Sequence, residues 1–220
     1  MKRIAVIGLG RFGFSLALTL AEKGAEVLAI DKDLKKVEEI KDRVALAVAI
    51  DAREIEALRA QGVENVDIAV VCIREDFEAN LLTAVNLKQL GIKEIIARAN
   101  THTQKEILKK IGVEWVVLPD EEMGKRVAQK LLFPSLLDSI PLSPGYSIAQ
   151  MQCLKEFQGK KLKDLELRKR YGINVVAIKK EGEKKEIINV PTPEYVMEEG
   201  DILVVIGPDN SLEKLTRGRG

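Results

Sequence analysis

The segment Val6-Ile7-Gly8-Leu9-Gly10-Arg11-Phe12-Gly13 carries three glycines in the spacing G-x-G-x-x-G. Glycines so spaced suit an anion. Gly8 permits a tight turn, Gly10 lets a pyrophosphate approach the backbone, and Gly13 lets a helix pack closely on a strand. The free N–H groups of a helix that starts there face the ligand. Leu9, Arg11 and Phe12 share the loop. The motif by itself is weak, because glycine turns are also purely structural. A second element strengthens it: Asp31, followed by Lys32, comes about 20 residues later, where an acid meets ribose hydroxyls. A carboxylate there disfavours a 2′-phosphate, so the expected ligand is an adenine nucleotide other than an NADP-type one. Asp51 and Ala52 end a third apolar run, and Ile73 and Arg74 a fourth. Both pairs are placed to border the adenine, because ligands of open parallel sheets sit at the carboxyl ends of strands.

Other chemistries find little material. His102 is the single histidine, beside the capping residue Thr101 of a helix start. Cys72 and Cys153 are far apart, each in an apolar run, and read as buried thiols in a reducing compartment. A Cys/His metal cluster is thereby excluded. No Ser-His-Asp set, catalytic Cys-His pair or P-loop lysine occurs. A dehydrogenase needs a proton relay and a substrate pocket. The residues favour binding without chemistry, so no enzyme is expected. The alternative is a nicotinamide-dependent oxidoreductase or redox sensor.

The elements that must position the loop are legible. Short apolar runs at 3–8, 26–30, 44–50, 67–73, 94–99 and 115–118 read as buried strands. Helical spacing fills 12–23, 34–41, 53–61, 77–90, 101–111 and 121–132, with glycines at several helix ends. Thr101 and Gln104 have capping-box spacing. Six strands alternating with helices require right-handed crossovers and a parallel sheet covered on both faces. The expected fold is α/β: a doubly wound Rossmann domain over residues 1–133. Pro134, Pro141, Pro144 and Gly145 then change the punctuation. Pro134 suits the first turn of a short helix, 135–140, within a crossover segment 134–146. From 147 to 220 the pattern is strand-rich, with strands at 147–154, 174–179, 186–190 and 201–206 and a helical piece at 162–170, a small α+β domain. The ending 217–220 reads as frayed.

The chain has 220 residues and a formal charge of +1. With 46% apolar residues it can build a core without disulfides, and no basic excess argues for nucleic acid. No apolar run has the length of a membrane span, and the first residues run straight into a strand. A soluble cytoplasmic protein is expected, one that serves a membrane only through a partner.

Four stretches, "VIGLGRFG", "AIDKD", "VLPDEEMGKRVAQ" and "GINVVAIKK…EEGDILVVIG", resemble the RCK (KTN) domain family, most closely its KtrA/TrkA-type cytosolic regulatory subunits of Ktr and Trk potassium-uptake systems. The resemblance covers essentially the whole chain, with a small C-terminal lobe of the TrkA-C type. It implies ATP or ADP binding, with NAD(H) as a further ligand of some members. It implies dimers assembled into an octameric ring beneath a membrane-embedded potassium-translocating subunit, at the inner face of the plasma membrane. The 135–140 helix matches the dimer-swapping element. Arg11 matches a loop arginine that reaches the terminal phosphate of a neighbouring subunit's nucleotide. A guanidinium fork pairs a phosphate bidentately at any cellular pH. Arg98 matches a basic position near the phosphates. Asp120 matches a carboxylate that holds a divalent cation in some members, although Asp stands where a longer Glu is familiar. Some relatives bind cyclic di-AMP between two C-terminal lobes, and the 173–178 strand suits that role.

Overall fold

The computed structural model describes residues 1–180 and 187–216. The chain divides into two compact units, Met1–Glu122 and Met123–Gly220.

The first unit runs β1 (Arg3–Ile7), α1 (Arg11–Glu22), β2 (Glu26–Asp31), α2 (Leu34–Ile40), β3 (Leu46–Ala49), α3 (Ile55–Ala60), β4 (Ile68–Val71), α4 (Phe77–Gln89), β5 (Glu94–Arg98), α5 (His102–Lys110) and β6 (Trp115–Val117). The strand order is β3-β2-β1-β4-β5-β6, and every pairing is parallel. The doubly wound Rossmann topology is therefore present, reversing direction between β1 and β4.

Alternation along the strands explains why the sheet is covered on both faces. Ala5, Ile7, Leu28 and Ile30 pack with Leu58 of α3, Leu87 of α4 and Leu108 of α5. Their neighbours Ile4, Val6, Val27 and Ala29 pack with Ala17 of α1 and with Val37 and Ile40 of α2. Near-continuous apolar strands are what two covered faces require. Thr101 caps α5 by accepting from the Gln104 N–H at 3.2 Å, while Gln104 Oε1 accepts from the Asn100 N–H at 2.8 Å.

Helix α6 (Pro119–Leu132) crosses the division between the units. The second unit continues with β7 (Leu136–Ser143), β8 (Tyr146–Gln152), α7 (Leu167–Tyr171), β9 (Asn174–Lys180), β10 (Ile187–Asn189), β11 (Asp201–Pro208) and α8 (Asp209–Thr216). Its sheet is antiparallel, in the order β10-β9-β11-β8-β7.

Three expectations change here. The short helix at 135–140 is the edge strand β7. Leu136 is 9% exposed and joins the core with Phe133 and Met151. The Pro144-Gly145 pair, with Gly145 at φ +81°, closes a hairpin onto β8. An edge strand tolerates Pro141, whose missing N–H leaves no interior ladder bond unmade. The helical piece at 162–170 splits into a 3₁₀ turn (Leu162–Leu165) and α7, broken at Glu166, whose φ is +47°. Helix α8 was not expected; Leu212 and Leu215 anchor it in the same core. Residue 186 of the 186–190 strand and the 217–220 ending lie outside the described residues.

Helix α6 buries no residue. Met123, Val127 and Leu131 are 57%, 50% and 74% exposed at i, i+4, i+8 spacing. That apolar stripe lies on one helix face.

Candidate functional site

The glycine loop lies between β1 and α1, and each glycine has a separate reason. Gly8 sits at φ +96°, and a Cβ there would lie 2.9 Å from the Ile73 nitrogen. A Cβ on Gly13 would fall on the Gly8 carbonyl oxygen, with the Cys72 Cβ 3.0 Å away. Gly10 has nothing within 4 Å of that position, so its open side faces away from the protein. Gly10 is also the N-cap of α1, in an extended conformation, with no side-chain cap and no acid in the first turn. The amides at this helix start are therefore available to an anion. Arg11 opens that turn, exposed and with no ion-pair partner among the described residues. A cation at a helix N-terminus opposes the dipole, and an anionic ligand would reverse the sign of that interaction.

Asp31 ends β2 and is 8% exposed. Its Oδ2 accepts from the Leu9 N–H at 2.6 Å and its Oδ1 from the Asp33 N–H at 2.9 Å. Lys36 Nζ approaches Oδ2 at 3.3 Å. The acid thus holds the glycine loop as well as facing the groove. Lys32 beside it is exposed. On the far side, Asp51 is gripped by Arg53, with Nη2–Oδ2 at 2.6 Å and Nε–Oδ1 at 3.0 Å. This fork lowers the Asp51 pKa to about 2. A lowered folded-state pKa contributes stability above the unfolded value and loses it only as pH falls toward 2, so Asp51 stays ionised near neutrality. Ala52 is buried next to it.

The opposite half of the groove is set by β4 and β5. Asn80 of α4, 1% exposed, donates to the carbonyls of Ile73 (2.8 Å) and Arg98 (3.1 Å), tying the two strand ends together. Asn100 donates to the Arg74 carbonyl at 2.7 Å. Arg98 is 6% exposed, lies 5.7 Å over the Phe12 ring, and donates from Nη2 to Asp120 Oδ2 at 2.8 Å. Its Nε is buried without a partner. Arg74 Nη2 approaches the same Asp120 oxygen at 3.6 Å. Asp120, which the resemblance offers as a metal ligand, is met within this chain by the guanidiniums of Arg98 and Arg74. No three His, Cys, Asp or Glu side chains come together as a metal group among the described residues.

A groove of about 1090 Å³ lies at the carboxyl end of the sheet. Gly8, Leu9, Gly10, Arg11, Asp31, Lys32, Asp51, Ala52, Ile73, Arg74 and Arg98 all border it. Phe12 and Gly13 stand behind the lining as packing residues. Lys36, Arg53 and Cys72 border it without having been singled out from sequence, and Asn80 supports it from behind. Lys36, in the helix that follows Asp31, could have been found from that adjacency. Burial pushes the Cys72 thiol up to about 12, against a smaller opposing effect of Arg98. Burial also raises Cys153, to about 11. Both remain thiols at neutral pH, which argues against a thiolate redox sensor. His102 does not border the groove; its Nε2 pairs with Glu121 at 2.9 Å.

Comparison with known proteins gives consistent results. The TrkA-N domain family model matches residues 4–119, and the TrkA-C domain model matches residues 155–217. The chain is 37% identical over 216 residues to Ktr system potassium uptake protein C of Bacillus subtilis, covering 98% of this chain and 96% of that one. It is 33% identical over 211 residues to Ktr system potassium uptake protein A of Vibrio alginolyticus, covering 96% and 94%. Among solved structures, GsuK bound to ADP is similar with a TM-score of 0.52 at 25% identity, over 59% of this chain and 34% of that one. That match spans about a third of the GsuK chain.

Proposed function

The chain belongs to the TrkA-N and TrkA-C domain family of potassium-uptake proteins, and from that premise we propose that it is a nucleotide-sensing regulatory subunit. It binds ATP or ADP in the groove and acts on a membrane-embedded potassium-translocating partner from the cytoplasmic side. One observation carries the nucleotide reading: an uncapped helix start with an open Gly10 shares its groove with a nearly buried acid, Asp31. No helix among the described residues is long and apolar enough to cross a membrane, which agrees with action through a partner. The half of the groove that would hold a nicotinamide ring contains the buried cation Arg98, which suits a phosphate better than a ring that is neutral in NADH and cationic in NAD.

The test is a calorimetric comparison of ATP, ADP, NAD and NADH, together with an assay for hydride transfer. ATP and ADP should bind without any reaction. Preference for NADH with turnover would establish the oxidoreductase reading instead.

Arg11 is the proposed reader of the terminal phosphate. One bidentate charged contact supplies about 1.5–3 kcal/mol, roughly a 10- to 150-fold preference. Arg11→Ala should lose that factor for ATP and leave ADP nearly unchanged. Only such a difference can move a conformational equilibrium. Equal losses for both nucleotides would make Arg11 a holder of shared phosphates.

Self-association is proposed through the α6 stripe. A contiguous exposed apolar face marks an interaction surface. Val127→Asp with Leu131→Asp should shift the particle to smaller species in light scattering while the far-UV circular dichroism stays that of the folded chain. A wild type that is monomeric at micromolar concentration would remove this assignment. Leu136 is unsuitable for such a test, since it belongs to the core.

A further inference from the structure

The half of the groove formed by β4 and β5 is bordered by two guanidiniums, Arg74 and Arg98, which share one carboxylate, Asp120, from the start of α6. Arg98 is nearly buried, and its Nε has no partner. A buried guanidinium with an unused donor is an anion receptor that is only partly filled. Asp120 supplies what is filled: Oδ2 accepts from Arg98 at 2.8 Å and lies 3.6 Å from Arg74. The carboxylate itself is 66% exposed, so it can leave without a buried charge being created on its own side. Its departure alone would strand Arg98, a costly buried cation, unless another anion arrived.

We propose that Asp120 is an internal competitor for the phosphate subsite at Arg98 and Arg74, displaced when a nucleotide's terminal phosphates enter. This rests on the reading of the groove as a nucleotide site. The exchange is specific for ligands with a charged group at that end, because a neutral group cannot replace the carboxylate. It also has a structural consequence. Asp120 lies in the first turn of α6, the helix that leads from one compact unit into the other. Phosphate entry removes that turn's tie to Arg98 and Arg74, while Glu121 keeps its pairing with His102.

The experiment is calorimetry on the full chain in EDTA, with ATP and adenosine as probes. Asp120→Asn should tighten ATP by about 3- to 10-fold, a modest factor because one partner of the pair is mostly exposed, and leave adenosine unchanged. In an Arg98→Gln background the same substitution should have no effect; if that background does not fold, Arg98→Lys should reduce the gain. Hydrogen exchange at residues 120–122 should quicken with ATP relative to adenosine in the wild type and show no such difference in Asp120→Asn. ATP affinity unchanged or weaker in Asp120→Asn, an equal gain for adenosine, or a gain undiminished by altering Arg98 would each overturn the competitor while wild-type ATP binding stands. Absence of ATP binding to the wild type would overturn the nucleotide reading and the competitor with it.

Discussion

Gly13→Ala is expected to destabilise the first unit and abolish nucleotide binding together. A methyl group at this position would sit on the Gly8 carbonyl oxygen, and the Cys72 Cβ lies 3.0 Å away on the other side. Neither neighbour is the movable end of a long side chain. Gly8 is itself held, donating to the Ile30 carbonyl at 2.7 Å. Overpacking of this kind costs about 1–3 kcal/mol and more where backbone must shift. The loop and the start of α1 would have to separate, which disperses the amides that face the groove. Urea unfolding should show a lowered midpoint, and calorimetry should show no ATP binding. Gly10→Ala provides the contrast, since nothing of the protein lies within 4 Å of its added methyl. That variant should keep its unfolding midpoint and still lose affinity, because the methyl occupies the space of the approaching phosphate. An unchanged midpoint in Gly13→Ala would show that the loop has more room than its geometry indicates.

Asp31→Ala should weaken every adenine nucleotide by a similar factor and also lower stability. The ribose is common to all of them, and loss of a charge-assisted hydrogen bond is worth about 1.5–3 kcal/mol, or roughly 10- to 150-fold. The stability effect comes from the other partners of the carboxylate. Alanine would leave the Leu9 N–H, bonded at 2.6 Å in a buried setting, without an acceptor. An orphaned buried donor costs about 1–3 kcal/mol. Asp31→Asn keeps one acceptor oxygen, so it should recover part of the stability but little of the nucleotide affinity. Calorimetry with ATP, ADP and NAD beside urea unfolding measures both quantities. Undiminished affinity for all three would take Asp31 out of the ligand site and leave it only the task of holding the loop.

The sequence alone determined what depends on neighbours along the chain. The first unit is legible because apolar runs, helical spacing and helix-end glycines recur with one regular period, and that period specifies parallel strands with covered faces. The loop is legible because Gly8, Gly10, Gly13 and Asp31 lie within two adjacent elements. The second unit is less so. Residues 135–140 carry leucines that suit a short helix or a strand equally, and only pairing with β8 and the burial of Leu136 decide between them. Helix α8 is short and polar on average, and Leu212 and Leu215 gain their meaning only from the core they enter. In the site, tertiary structure alone decided the pairings across sequence distance. Asp31 reaches back to Leu9, and Asn80 joins the ends of β4 and β5. Asp120 meets Arg98 and Arg74, which lie 22 and 46 residues before it in the chain. The physical reason is that strand order places the carboxyl ends of β4 and β5 and the start of α6 side by side, and charges brought together there select partners by distance, with no local pattern in the chain to announce them.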